Sequence, residues 1–447
     1  MAENPSSKPL RKGILARIVK LLFRVFLGSL FLIFLLLVIV HIPAVQKKIT
    51  IEVSEYLSNK TGGDISINEI NFSILGNVEV YGLDVKDPSA VNVFNADKMA
   101  LEFGISDLIS GDLIFSHAEI RGLESQLIQT EEGLNIQFFI DAFNDTEKGE
   151  EPTSDVPIET SLKFNEIVLQ DIHFNYLSST KNVDFQTTLG SLHVVGAFLN
   201  INPNRLKIGR VSLENIYSSV ITTGNNSQGS IVSDTEDTSQ LPGLDFNSGF
   251  DIDIRNLEIK DNSFSFHQNE SLERQQFAPG HIDASNIQIE LADISIRNDS
   301  LSAEIRQIAA DLPGFSLQEF EAGINIGLSQ LELSDLNLAT KSSKVRMDLN
   351  GQFNHFPDLI KELDQAAFQL LLSGHLNRND LGFFLTDSIM KYIDKWSVIS
   401  LETTAGYEYG KTVINELDFG VGNSRLLLKG ILTNFQSGTQ IIYLILC

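Results

Sequence analysis

Apolar residues recur along this chain at three spacings, and each spacing predicts a different element. The first is an unbroken run. From Val25 to Val40 there is no charge and one weakly polar residue, Ser29; His41 and Ile42 extend the stretch to 18 residues. As a helix it measures roughly 27 Å, close to a hydrocarbon thickness of about 30 Å. Lys20 and Arg24 can snorkel and lengthen it. A cleaved signal has a shorter apolar segment followed by small residues, whereas Ile42-Pro43-Ala44 places a bulky Ile there. The pattern predicts a retained transmembrane anchor over 25–42.

The second spacing is helical. Val45, Ile49, Val53, Tyr56 and Leu57 fall on one side of a helix that Gly62-Gly63 would stop, which predicts an amphipathic helix over 43–63.

The third spacing is two, and it dominates the rest. Ile65-x-Ile67, Val78-x-Val80, Leu83-x-Val85 and Leu113-x-Phe115 open the series. Ile167-x-Leu169, Ile172-x-Phe174, Ile252-x-Ile254 and Leu257-x-Ile259 continue it. It is most regular at Ile287, Ile289 and Leu291, then Ile294 and Ile296, then Leu331 and Leu333, then Leu336 and Leu338. Such alternation means strands with one dry and one wet face. Asp293 and Asp335 interrupt it and read as turns or bulges. At some twelve residues per strand and turn, the body would hold about 30 strands and reach roughly 150 Å. The expected fold is mainly β: the anchor, then an elongated, antiparallel-rich sheet over 64–447 with a few short helices. Two of those helices are expected in "DLIKELDQAA" from Asp358 and "FFLTDSIMKYIDKW" from Phe383.

Asn144–Pro157 and Thr222–Pro242 are polar, rich in Ser, Thr and acids, and read as long disordered surface loops. Strand alternation resumes in the same style beyond each, so they do not divide the body into domains. A loose repeat, Leu-x-Gly-x-(Phe/Leu), occurs at Leu349, Leu372 and Leu428, and two copies run on to Asp358-Leu359 and Asp380-Leu381. The strands before two copies, "LNLATKSS" from Leu336 and "LDFGVGNS" from Leu417, also match. Their distances to the repeat differ by two residues, which keeps the same face buried.

Charge fixes an orientation. The 447 residues carry a net −25, but 1–48 hold eight Lys/Arg and one Glu, so the remainder carries −32. Basic residues before the anchor place residues 1–24 in the cytoplasm and everything after Ile42 outside it. An acidic body argues against a nucleic-acid partner and against lying flat on anionic lipid. The single cysteine, Cys447, excludes an intrachain disulfide or a multi-cysteine metal site.

No catalytic pattern emerges. The eight histidines show no ligand spacing. "YGKT" at 409–412 resembles the end of a phosphate loop, but the earlier glycine would fall at Ala405 and strand residues follow the Thr. "GVGNSR" from Gly420 lacks the third glycine and the helix of a dinucleotide fingerprint. No catalytic residue, cofactor or metal is expected.

An ordered series of segments is similar to a known family. "IPAVQ" (Ile42–Gln46) follows the anchor, then come "SEYLSNKTGGDISINEINF" (Ser54–Phe72) and "VEVYGLDVKDPSAVNVFNADKMALEF" (Val78–Phe103). "LISGDLIFSHAEIRGLESQLI" (Leu108–Ile128) and "LNIQFFIDAF" (Leu134–Phe143) complete it. Together they resemble the TamB family of envelope proteins, within the AsmA-like superfamily, and especially its Bacteroidota-type members. The resemblance is dense over about residues 20–143. It implies a β-taco, a long sheet curled into an apolar trough. It also implies a single-pass inner-membrane protein with its body in the periplasm, phospholipid as cargo, an outer-membrane β-barrel partner, and no catalytic residues. The nine alternating residues from Ile287 to Leu338 are then the candidate lipid-trough lining. Family members run longer, and this chain, stopping at "SGTQIIYLILC", reads as a truncated copy. Two other readings fit the alternation: a scaffold for outer-membrane protein assembly, and a structural β protein without transport.

Overall fold

A computed structural model describes residues 24, 27, 28, 31, 35, 38, 39 and 41–446. Within that last range it leaves out 74–75, 112, 145–160, 202, 224–248, 250, 269–276, 357–358, 360–362, 386–388, 392–394, 396, 409 and 434–439. Of the predicted anchor, Leu27, Gly28, Phe31, Leu35, Val38 and Ile39 are described and helical; most of the remainder lies outside the described residues. Among the described residues no helix is long and apolar enough to cross a membrane. The two polar segments expected as loops also lie almost wholly outside the described residues.

Helix α1 (Pro43–Thr61) begins on Pro43 and ends on Gly62, whose φ of 75° is left-handed and whose N–H bonds Ser58 O at 2.8 Å. Val45, Ile49, Val53 and Leu57 are half-buried as expected, but Tyr56 is 60% exposed. It stands off the stripe because the buried positions beside it are hydroxyls: Thr50 and Thr61 are the most enclosed residues of the helix. Thr50 and a further hydroxyl, Ser58, serve the adjacent edge strand, β1 (Asp64–Phe72). The Ile70 N–H donates to Thr50 Oγ1 at 3.0 Å and the Ile65 N–H to Ser58 Oγ at 2.9 Å. An edge that would template foreign strands is closed by side chains.

The following elements are β2 (Asn77–Lys86), β3 (Asn92–Phe103), α2 (Ile105–Ser110), β4 (Leu113–Thr130), β5 (Gly133–Leu134) and α3 (Gln137–Asn144). Then come β6 (Ser161–Ser178), β7 (Val183–Ile201), β8 (Asn204–Thr222), β9 (Asp251–Gln268), β10 (His281–Ile296), β11 (Ser300–Leu312) and β12 (Phe315–Gly327). The chain continues through β13 (Gln330–Thr340), β14 (Lys344–Gln352), β15 (Ala367–Asn377), α4 (Arg378–Phe384), β16 (Val398–Glu408), β17 (Lys411–Val421), β18 (Ser424–Thr433) and β19 (Gln440–Leu446).

Among the described residues, 19 strands form one sheet. The two-residue β5 hangs on the end of β4, and the other strands stand side by side in chain order. Neighbours are antiparallel except β4–β6 and β8–β9, which are parallel. Helices lie at the margins, α1 against β1 and α3, α2 against β4, α4 against β15.

The count corrects the expectation of about 30 strands. Strands β4 and β6–β9 are 18 or 19 residues long because the breaks in alternation are not turns. They are single residues at positive φ inside continuous strands. Gly82, Gly122, Asp171, Asn215, Asp261 and Asn286 form one line across the sheet; Gly196, Asp293 and Asp335 fall along another. Only Gly, Asn and Asp adopt this conformation cheaply. An inserted residue of this kind turns the following side chains over once, so a spacing of three keeps one face. Leu333 and Leu336, either side of Asp335, accordingly pack in the same cluster. At Gly82 and Gly122 a second constraint acts: a Cβ would run into the Asn68 amide and the Asp97 carboxylate of the neighbouring strand.

The expected helices lie partly outside the described residues. In the first segment the described residues include a 3-10 turn, Leu363–Gln365, and Ala367 already begins β15. In the second, Phe383 lies near the end of α4, because Asn377, six residues earlier, caps the helix by accepting the Asn379 N–H at 2.9 Å. Ile389–Lys391 are helical beyond it.

Candidate functional site

Strand register builds a surface that no local segment displays. Phe103, Phe115, Phe164, Ala197, Ile208, Ile254 and Ile294 stand opposite one another in turn from β3 to β10. The Phe115 and Phe164 rings stack with centroids 4.9 Å apart. Opposite the slip at Asp293 stands Ala303, and the row goes on through Ile324, Leu333, Leu349, Leu370, Ala405 and Ile414 to β17. A second row joins Ile120, Leu169, Leu192, Leu213, Ile259, Ile289 and Ile308 from β4 to β11.

Neither row is a dry core. Every member except Ala197 is half-buried. Among the described residues only fifteen apolar side chains are buried, six of them alanines. A sheet covered on one face would bury nearly every second residue of each strand, so among the described residues this face has no packed second layer.

The nine residues singled out by alternation are distributed over this surface. Ile294 and Leu333 belong to the first row and Ile289 to the second. Leu291, Leu333, Leu336 and Leu338 meet in one cluster around Ile305 and Ala322, where Leu336 is buried at 7% exposure. Ile296 faces Ile252 and Leu301, Leu331 faces Ile326, and Ile287 faces the polar Asn262. The aromatic members on β3, β4 and β6 were missed as lining, because β4 and β6 pair in parallel across a long connection that local spacing does not encode.

The other face carries charge in cross-strand groups. Lys98 Nζ donates to Glu119 Oε2 at 2.8 Å and Arg121 Nη2 to Glu119 Oε1 at 2.7 Å. The Lys98 hydrogen bond holds the Glu119 carboxyl below its ordinary range and lifts Lys98 above its own. Glu166 joins two imidazoles, Oε2 to His117 Nδ1 at 2.8 Å and Oε1 to His193 Nε2 at 2.6 Å, and these bonds depress its pKa. A cleft of about 850 Å³ crosses β6–β11 on this side, with Tyr217, Ser219, Ser263, Ser265, Asp283 and Ser285 in its wall.

The phosphate-loop look-alike is a hairpin turn: Glu408 pairs with Lys411 around Gly410 at φ 77°. Gly422-Asn423 likewise turns β17 into β18, with Val421 paired to Ser424. The histidines, unremarkable in sequence, do converge. His267 stands opposite His281 across the β9–β10 pair, with Asp283 two residues further on. Hairpin register alone could have revealed this, and the intervening connection conceals it. No family model matches the chain, and no curated protein matches it.

Proposed function

We propose that this protein is a membrane-anchored conduit for phospholipid in the bacterial envelope, related to the TamB family, with the apolar face of its sheet as the path. The observation that carries this reading is the pair of half-buried apolar rows running across the strands. Exposing a lipid tail to water costs about 0.8 kcal/mol per CH₂, so roughly 13 kcal/mol for a sixteen-carbon chain. A row that offers an apolar neighbour at every strand, about 4.8 Å apart, offsets that cost at each step without a deep binding site anywhere. Curling of the sheet into a trough around these rows would shield the tail and leave the headgroup in water. The resemblance over residues 20–143 and the apolar run at 25–42 support an inner-membrane anchor with the body in the periplasm. Among the described residues of that run, Leu27 and Phe31 are more than half exposed, as lipid-facing side chains would be.

The test is photo-crosslinking in membranes. A photoreactive residue replacing Phe164 or Leu349 should yield phospholipid adducts, and one replacing Ser219 on the opposite face should not. Ile254→Asp, midway along the first row, should abolish adducts at Leu349 while the circular dichroism of the sheet is kept. Adducts equal on both faces, or unfolding by Ile254→Asp, would reject a conduit in favour of a packed structural sheet. Adducts to polypeptide in place of lipid would favour the assembly scaffold.

A further inference from the structure

The geometry points to a metal site: we propose that His267, His281 and Asp283 bind one divalent first-row transition-metal ion, with Zn²⁺ as the reference. The three come from two paired strands and share a face. His281 is opposite His267 in register, and Asp283 is opposite Ser265, one pair along on the same side. The two imidazole rings stack in parallel, centroids 4.3 Å apart with 2° between their planes. Their Nε2 atoms meet the two oxygens of one carboxylate, His267 at 2.9 Å and His281 at 3.0 Å. The prospective ligand atoms all lie within 4.8 Å of one another. Ligands of a tetrahedral zinc sit about 2.0–2.2 Å from the ion, so shifts of about 1 Å close the site around it.

Three considerations favour a metal over a plain ion-paired cluster. Two imidazole nitrogens and one carboxylate converging from paired strands are a donor set that suits a transition metal. Two nitrogen donors argue against calcium or magnesium, which take oxygen ligands. The Glu166 group is an internal comparison: it also joins two imidazoles to one carboxylate, yet among the described residues only the His267 group brings its donor atoms within reach of a single ion. Three protein ligands leave a fourth position for an exchangeable group. Asp283 also forms part of the wall of the 850 Å³ cleft, which places the site beside a polar surface opposite the apolar rows.

Metal-free, full-length protein in detergent would be titrated with Zn²⁺ against a chromophoric chelator, and with Co²⁺ read by its visible absorption. One ion per chain is expected. Changes outside the ligand set already weaken zinc sites roughly 10–100-fold, so Asp283→Asn and His267→Ala should each lose at least about that. The Co²⁺ bands should disappear in both variants, and His117→Gln, at the Glu166 group, should leave both readouts unchanged. His267 and Asp283 are 34% and 40% exposed, against 11% for His281, so these two variants disturb the fold least, and circular dichroism verifies this. Absence of stoichiometric binding, or binding that survives both ligand variants, overturns the proposal.

Discussion

Glu119 is the one charged side chain among the described residues that is buried, at 7% exposure. Its cost in desolvation is offset by Lys98 and Arg121, so removing a partner matters more than the pair's net worth. Lys98→Ala should destabilise the protein by about 1–3 kcal/mol, seen as a lower urea midpoint with an unchanged slope. The pH dependence has two signs. Glu119 is depressed in the folded state, so its contribution is complete above the ordinary value near 4.5 and disappears as pH falls through the folded value. Lys98 is raised, so its contribution is complete below about 10.5 and disappears as pH rises through the folded value. Wild type and Lys98→Ala should therefore differ most between those limits and converge in acid; a gap that persists at pH 2 would show that the lost contact is packing. Single residues were also where sequence reading was most ambiguous. Asp293 and Asp335 stood out as interruptions, but an inserted left-handed residue and a turn leave the same trace in hydrophobic spacing. Pairing decides between them, and pairing is not a local property.

Helix α1 shows what an element adds beyond its residues. Its place, its length and its glycine stop were all legible, as was its half-buried aliphatic stripe. What was not legible is its chief task, because threonine and serine have no periodic signature in a hydrophobic pattern. Thr50 and Ser58 face β1 and hold the Ile70 and Ile65 amides that a neighbouring strand would otherwise take. Thr50→Val preserves shape and removes the acceptor. Amide exchange at Ile70 should accelerate by about 10–100-fold, corresponding to roughly 1–3 kcal/mol for an unpaired buried donor. Ile65, held by Ser58, should change much less. Equal acceleration at both amides would mean that the helix leaves the edge as a unit and that the hydroxyls are incidental.

Across the whole molecule, β class and one-sided alternation were readable from the sequence, whereas strand number was not. Eighteen side-by-side strands at about 4.8 Å advance roughly 80 Å, near half the reach that a twelve-residue unit implied. The residues expected to supply extra strands instead lengthen existing ones to 18 or 19 positions. Long strands widen the apolar face at the expense of its reach, and β4 and β6–β11 each carry both rows.

The two parallel pairings have a consequence in time. They divide the sheet into three meanders, β1–β4, β6–β8 and β9–β19, in each of which successive strands are antiparallel neighbours joined by shorter connections than those spanning the two seams. Contacts between close sequence neighbours form before contacts that close long loops. Each meander can therefore organise ahead of the chain still to come, while the seams at β4–β6 and β8–β9 wait for their crossovers. Pulse-labelled hydrogen exchange during refolding should find amides within the β6–β8 hairpins protected first and the β9 amides bonded to β8 across the seam last. Simultaneous protection on both sides of a seam would indicate a single cooperative assembly step rather than three.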